Sequence, residues 1–109
     1  ESLYIALNFA KEFYRDTLLK TDEGKSIGLS YFRERGFSDP TIAAFDIGYS
    51  PDSWDALMTA AQKRGYNLDI LDKAGLVVKK EESGKIFDRF RARVIFPIHN
   101  VSGRVIAFG

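Results

Sequence analysis

Cysteine is absent from this 109-residue chain, and histidine occurs once, as His99. Without cysteine, the chain cannot form a disulfide, a zinc–thiolate site or a cysteine nucleophile. A metal site or a catalytic triad built on imidazole would depend on His99 alone, which lies at the expected end of a strand. The sequence therefore argues against all of these kinds of site.

Long hydrophobic runs are also absent, since no stretch approaches the roughly 20 apolar residues that a membrane span needs. The first residues lack the basic and apolar regions of a signal peptide. We therefore expect a soluble, cytoplasmic protein with no membrane partner. The chain starts at Glu1 rather than methionine and stops on Gly109 directly after an expected strand, so we expect it to be cut from a longer protein.

No catalytic motif is apparent. The nine glycines are scattered and do not form a phosphate-binding loop. Two-metal chemistry requires carboxylates held close together. The neighbouring acids are expected to be solvent-exposed caps or helix faces; they are Asp52 with Asp55, Asp69 with Asp72, and Glu81 with Glu82. We therefore predict that this chain contains neither a catalytic centre nor a bound cofactor.

Hydrophobic residues at helical spacing predict helices in the first three quarters of the chain. We expect helices over residues 3–18, 25–35 and 68–74, a short helix capped by Ser38 and another capped by Asp52 or Ser53. The side chains predicted to face the core from these helices include Ile27, Ile42, Ala43, Phe45 and Trp54. For Trp54 a base-stacking role is the alternative, but its spacing with Leu57 and Met58 favours the core.

The last third reads as strands, over residues 76–80, 88–99 and 104–108, with turns at 81–84 and 100–103. If 88–99 is one strand, alternate residues put Arg89, Arg91 and Arg93 on one face. The apolar face then carries Phe90, Ala92, Val94, Phe96 and Ile98. The predicted fold is α+β, a single domain whose helical first part packs on a small antiparallel sheet formed mainly by the C-terminal strands.

Positive charge is concentrated at one end: residues 79–109 hold seven Lys/Arg against three Asp/Glu, and residues 1–78 hold nine against twelve. Alternate residues of a strand are about 6.7 Å apart, close to successive phosphates of an extended single strand. The arginines could therefore follow nucleic acid, or they could pair with Asp88, Glu81 and Glu82. The spacing leaves both possibilities open.

Several segments, in this order, resemble the bacterial DnaG-type DNA primase: RGFS at 35–38, FDIGYSP at 45–51 followed by Trp54, AGL at 74–76, DRFRAR at 88–93, FPI at 96–98 and GRVIAFG at 103–109. Phe37 stands where leucine is commoner in that family, and Phe87 where tyrosine is. The resemblance covers nearly the whole chain. It implies the N-terminal subdomain of the RNA-polymerase core of a primase.

In that family a zinc-binding module precedes this subdomain, and a Toprim subdomain follows it. The Toprim carboxylates hold divalent metal, Mg or Mn, and the whole enzyme joins ribonucleotides into RNA primers on a single-stranded DNA template. Its other parts meet the replicative helicase and single-strand binding protein. The resemblance thus implies that this chain lacks both the zinc and the catalytic metal sites, and that it helps to bind and align the template.

Carried over residue by residue, the resemblance associates Arg35 with the template. Arg89, Arg91 and Arg93 match the pattern D-R-F-R-x-R and could contact the template or brace the fold, and Arg104 is a further candidate. The family continues past Gly109 into more of the basic groove, so this chain would carry only part of it. The alternatives are a module that only braces the Toprim subdomain and docks neighbouring parts, or part of a phage or plasmid primase-helicase.

Overall fold

The structure is a computed structural model that describes residues 2–109. Its helices are α1 (Ser2–Lys20), a π-helix (Gly24–Leu29) that runs directly into α2 (Ser30–Glu34), α3 (Asp39–Ala44), α4 (Ala56–Lys63) and α5 (Leu68–Lys73). Its strands are β1 (Gly48–Ser50), β2 (Val77–Lys79), β3 (Ile86–Asp88), β4 (Arg93–Ile95), β5 (Pro97–His99) and β6 (Val105–Phe108). The predicted α+β class is confirmed.

Local signals place several helices where the sequence predicts them. In α1 the buried residues Leu7, Ala10, Tyr14 and Leu18 recur every three or four positions and form one stripe. At α3 the Ser38 hydroxyl accepts the N–H of Thr41, and at α5 the Asn67 side chain accepts the N–H of Ile70. These helices follow from short-range hydrogen bonds and periodicity.

The predicted helix over residues 25–35 is not regular, because its first part is the π-helix. A π-helix takes more residues per turn than the 3.6 of an α-helix, so the α-helical period misplaces its side chains. Ile27, which we predicted to be buried, is 53% exposed, while Gly28 and Leu29 are buried. Phe32 of α2 is fully buried.

Three more predictions of burial are wrong, and for Phe45 and Trp54 the reason is that two helices have other limits. Helix α3 ends at Ala44, so Phe45 lies beyond it and is 63% exposed; Ala43 is also exposed. Helix α4 begins at Ala56 rather than after Asp52 or Ser53. Trp54 therefore lies in the preceding loop and is also 63% exposed.

Residues 88–99 do not form one strand. They are divided among β3, β4 and β5, and Ala92 between β3 and β4 has a left-handed φ of 51°. The alternation that we predicted is lost at this break: Ala92, Phe96 and Ile98 are exposed, whereas Ile95 is fully buried. The predicted straight row of arginines on one strand is therefore wrong.

The strands of residues 2–109 form three antiparallel pairs. β1 pairs with β4 so that Gly48 faces Ile95, and β2 pairs with β3. β5 and β6 form the predicted terminal hairpin, with Ile98 opposite Ala107 and a bulge at the next step. Its turn is closed by the Asn100 side chain, which accepts backbone N–H groups of residues 102 and 104.

Helix α1 carries both parts of the core. Its first three turns pack in a large cluster with α4, α5 and buried strand residues, among them Leu57, Leu71, Leu76, Phe90 and Ile95. Its last turn contributes Leu18 to a second cluster; the other buried members are Leu29, Phe32, Ile42, Ile47 and Tyr49. No helix in residues 2–109 has both the length and the apolar composition needed to cross a bilayer.

Candidate nucleic-acid interface

Asp88 organises the site. It ends β3 and is only 2% exposed, and its carboxylate accepts the N–H of Leu57 at 2.8 Å and of Met58 at 3.0 Å, in the first turn of α4. Its own N–H donates to the carbonyl of Trp54 at 2.7 Å, and its carbonyl accepts a hydrogen bond from Arg91 Nη1. One buried acid thus caps α4 and fixes the positions of Trp54 and Arg91.

Burial raises the pKa of the Asp88 carboxyl above its ordinary range. The two N–H groups of α4 and the charge of Arg91 oppose this rise, and the charge of Asp55 adds to it. The buried Tyr14 hydroxyl has no hydrogen-bond partner within the described part of the chain. Its pKa is raised by burial first and by the negative charge of Asp88 second, so Tyr14 stays neutral.

Arg35 directly follows α2 and lies on an aromatic ring. Its guanidinium carbon is 3.8 Å from the centroid of the Tyr31 ring, which is cation–π distance. Arg33, two residues earlier, makes a salt bridge with Asp39 at 3.3 Å instead. The two neighbouring arginines therefore differ, because the charge of Arg33 is compensated by a carboxylate.

Arg89 and Arg93 are brought together by Phe90. Their guanidinium carbons lie 5.2 Å and 5.5 Å from the same ring, so the two charges are no farther apart than the sum of these distances. The backbone of Arg93 is held by Ser50 of β1, whose hydroxyl accepts the Arg93 N–H at 3.2 Å. Phe90 itself is 7% exposed, so the core fixes the ring that carries both arginines.

Arg91 and Arg104 lie in other settings. Arg91 is partly buried, with its guanidinium carbon 4.0 Å from the Trp54 ring and 5.2 Å from that of Phe87. Arg104 lies 4.7 Å from the ring of Tyr4 near the start of α1. The structure thus brings Arg89 and Arg93 together and gives the other three predicted arginines aromatic partners of their own.

The predicted alternative, ion pairs with Asp88, Glu81 and Glu82, is not observed for the arginines of residues 88–93. Over residues 2–109, no salt bridge to a carboxylate involves Arg89, Arg91, Arg93 or Arg35. A guanidinium that contacts a ring and no carboxylate still has N–H groups to donate, and its planar fork matches the oxygens of a phosphate. The arrangement can therefore bind anions.

Carboxylates do not form a metal site in this part of the molecule. Residues 2–109 contain no group of three or more His, Asp or Glu side chains placed to hold an ion. The acid pairs singled out in the sequence are exposed, at positions 52, 55, 69, 72, 81 and 82. The acidic residues of this range therefore do not form a binding site for a divalent metal, which the resemblance assigns to the Toprim subdomain.

Sequence reasoning missed the roles of two residues. Trp54 is exposed because α4 begins after it, with Asp55 as the residue before the helix. The only sequence signal for this later start was that Asp55, like Asp52 and Ser53, is a residue type that can precede a helix. Glu23 accepts hydrogen bonds from the Tyr49 hydroxyl at 3.0 Å and from the Asp52 N–H at 2.9 Å. Burial, followed by this bond and the charge of Glu23, raises the pKa of Tyr49 to about 12. No local pattern predicts a contact across 26 positions.

Residues 13–109 match the family model of the N-terminal domain of the DNA primase catalytic core. The chain is also 44% identical, over its whole length, to a DNA primase of Halalkalibacterium halodurans, of which it spans 18%. The chain therefore corresponds to less than a fifth of that relative.

Solved structures with the same fold include a DnaG primase catalytic domain bound to single-stranded DNA. It is 36% identical, with a TM-score of 0.83, and the match covers 99% of this chain and 34% of that one. A second is the Aquifex aeolicus primase, comprising zinc-binding and RNA polymerase domains. It is 32% identical, with a TM-score of 0.83, and the match covers 99% of this chain and 25% of that one.

Proposed function

Because this chain belongs to the family of N-terminal domains of DNA primase catalytic cores, we propose that it is part of a DNA primase and holds the single-stranded DNA template. In this proposal the chain binds and aligns the template, and ribonucleotides are joined into an RNA primer elsewhere in the protein. Contacts to phosphate give affinity with little sequence information. In this proposal, the site at which a primer starts is therefore chosen elsewhere in the protein.

The observation that carries the proposal is the setting of Arg35, Arg89 and Arg93. All three are exposed, lie within cation–π distance of an aromatic ring and make no salt bridge to a carboxylate in residues 2–109. Val94, beside Arg93, and Tyr31, beside Arg35, pack against the same second core cluster, which supports a common role for the two arginines. A related catalytic domain of the same fold is seen with single-stranded DNA, which supports this choice of ligand.

The whole protein would be a nucleotidyltransferase, a DNA-directed RNA polymerase that works in the cytoplasm during replication. Residues 1–109 are one unit of it, the N-terminal subdomain of the catalytic core. The Toprim subdomain supplies the carboxylates for Mg or Mn, and a separate module supplies the zinc site. The replicative helicase and single-strand binding protein meet those other parts. Arg91 and Arg104 are secondary candidates for template contact.

The test is fluorescence anisotropy of a labelled single-stranded DNA oligonucleotide, titrated with this chain over a series of salt concentrations. We expect binding that weakens as salt rises and weakens further in Arg35→Ala. Arg33→Ala is the matched control, since it removes the same charge two residues away from a pair already neutralised by Asp39. Equal losses in the two variants, or no binding at low salt by a folded chain, would contradict the proposal.

A second candidate function is a module that braces the Toprim subdomain and docks its neighbours. Exposed apolar side chains on the terminal hairpin favour it, namely Phe96, Ile98, Val101 and Ile106. In this case Arg91 acts only as a brace through its bond to the Asp88 carbonyl. Arg91→Ala would then lower the melting temperature without changing DNA affinity in the folded sample, whereas lower affinity at unchanged stability would favour template contact.

A further inference from the structure

Helices α2, α4 and α5 end in the same way. Each is followed by a glycine with a left-handed φ, of 82° at Gly36, 91° at Gly65 and 75° at Gly75. In each case the glycine N–H donates to the carbonyl three residues earlier, and the next N–H donates to the carbonyl five residues earlier. In this Schellman arrangement glycine is favoured because it adopts a left-handed φ without strain. The backbone alone therefore explains a glycine at all three positions.

Gly75 differs from the other two glycines in what faces it. A Cβ at Gly36 or Gly65 would meet no atom of residues 2–109 within 4 Å, apart from its own chain neighbours. A Cβ at Gly75 would lie 3.2 Å from Nη1 of Arg89, which is closer than ordinary van der Waals contact. The guanidinium of Arg89 thus occupies space that any side chain at residue 75 would need.

Arg89 is also held from two other directions. Its backbone N–H donates to the carbonyl of Leu76, the residue after the glycine, at 3.0 Å. Its guanidinium carbon lies 5.2 Å from the centroid of the Phe90 ring, which is within cation–π distance, and Phe90 is buried. The turn after α5 and the Phe90 ring together limit where the guanidinium can lie, which lowers the entropy lost when it binds a ligand.

We propose that Gly75 is a positioning residue for template binding, because the absence of a side chain there lets the Arg89 guanidinium lie where it contacts a phosphate. This inference rests on the proposed function and deepens it, since it gives a role to the uncharged AGL segment at residues 74–76. Gly75 itself does not contact the template and acts only through Arg89. A side chain at residue 75 would displace the guanidinium but would leave its charge in the molecule.

The test compares Gly75→Asn with Gly65→Asn. Asparagine tolerates a left-handed φ better than most residues, and its amide extends past the Cβ position into the space of the guanidinium. Gly65→Asn makes the same change at the end of α4, where a Cβ meets nothing within 4 Å in residues 2–109 except its chain neighbours. The backbone cost is therefore shared by the two variants, and only Gly75→Asn displaces Arg89. Urea denaturation of both verifies that they are folded and measures that cost.

Binding of a labelled single-stranded DNA oligonucleotide is measured by anisotropy over a series of salt concentrations. We expect Gly75→Asn to weaken binding several-fold and to make the slope of log affinity against log salt shallower by up to about 0.7, the contribution of one phosphate. Gly65→Asn should leave both quantities unchanged. In the Arg89→Ala background, Gly75→Asn should have no further effect, since no guanidinium remains to be displaced.

A second measurement follows Arg89 without DNA. The Nε–H signal of Arg89 in a ¹⁵N–¹H spectrum is assigned by its loss in Arg89→Ala. We expect this signal to shift in Gly75→Asn, because the guanidinium moves relative to the Phe90 ring, and to stay in place in Gly65→Asn. If Gly75→Asn does not fold, Gly75→Ala and Gly65→Ala take the place of the two variants, with the same expected difference between them.

The outcomes distinguish this inference from the proposed function. If Gly75→Asn binds DNA like the wild type while Arg89→Ala binds more weakly, the role of Gly75 is wrong and the template-holding function stands. Equal losses in the two asparagine variants, a further loss in the Arg89→Ala background or an unmoved Arg89 signal leads to the same conclusion. If the folded wild-type chain does not bind single-stranded DNA at low salt, the proposed function fails and the role of Gly75 in template binding fails with it.

Discussion

At the scale of single residues, Asp88 links parts of the chain that are distant in sequence. Its carboxylate caps α4, its N–H fixes Trp54 and its carbonyl holds Arg91. The acid of the D-R-F-R-x-R pattern is therefore structural, while Arg89 and Arg93 after it are exposed. A pattern that looks like one functional unit in the sequence combines a buried support with a charged surface.

The titration of Asp88 predicts a pH dependence of stability. Because burial raises its pKa in the folded state, the folded protein binds this proton more tightly than the unfolded chain does. The stabilising contribution is thus complete below the ordinary carboxyl pKa and is lost as pH rises through the raised value. Within that window the free energy of unfolding should fall by at most about 1.4 kcal/mol per pH unit.

The measurement is urea unfolding of the wild type and of Asp88→Asn from pH 3.5 to pH 7, which we choose to span the carboxyl range. The asparagine cannot ionise, so the difference between the two free energies isolates Asp88. We expect the wild type to lose stability relative to Asp88→Asn as pH rises. The opposite slope would mean that the two N–H bonds of α4 outweigh burial and lower the pKa.

At the scale of elements, α1 and β1 approach each other closely because β1 begins with glycine. A Cβ at Gly48 would lie 2.6 Å from Tyr14 Cβ and 2.7 Å from the Tyr14 carbonyl carbon. The second of these atoms is backbone, which cannot move aside without shifting the helix. Gly48 also pairs with Ile95, so the contact ties α1 to the β1–β4 pair that carries Arg93.

We predict that Gly48→Ala destabilises the fold by about 1–3 kcal/mol, the range for overpacking a close contact. Gly109→Ala is the control, since a Cβ there would meet only Ile98 Cδ1 at an ordinary 3.9 Å. Chemical denaturation of both variants gives the comparison. Equal stability of the two would show that α1 and β1 can separate slightly at little cost.

Elements that depend on nearby residues could be predicted from the sequence, and those that depend on distant contacts could not. Ser38 and Asn67 cap helices through N–H groups three residues ahead, so a short pattern contains the whole interaction. The start of α4 depends instead on Asp88, which is 31 positions from Leu57. Because the sequence does not show this distant contact, we predicted an earlier helix start and wrongly placed Trp54 in the core. Likewise, the left-handed turn at Ala92 breaks a stretch whose alternation predicts one strand.

The candidate site shows the same contrast between what nearby residues determine and what distant contacts determine. The resemblance and the local excess of basic residues indicated the arginines, but neither predicted the partner of each side chain. The rings that carry them come from other elements in two cases: Trp54 precedes α4 and contacts Arg91, and Tyr4 of α1 contacts Arg104. The predicted spacing of Arg89, Arg91 and Arg93 failed because only Arg93 lies within a strand.

At the scale of the whole molecule, net charge conceals the feature that matters for binding. The chain carries a formal charge of only +1, so long-range attraction to nucleic acid is weak. In the proposed function, affinity must then come from a few close contacts, and the number of those contacts can be measured. Each phosphate neutralised on a single strand contributes about −0.7 to the slope of log affinity against log salt concentration.

If Arg35, Arg89 and Arg93 each neutralise one phosphate, the slope should be about −2, and affinity should fall roughly twentyfold between 50 and 200 mM salt. Removing one of them, as in Arg89→Ala, should make the slope shallower by about 0.7. Lys20→Ala is the control, because Lys20 is paired with Asp16 and lies at the end of α1. It should leave the slope unchanged. An Arg89→Ala variant that binds more weakly with the full slope would show that Arg89 positions the surface rather than contacting phosphate.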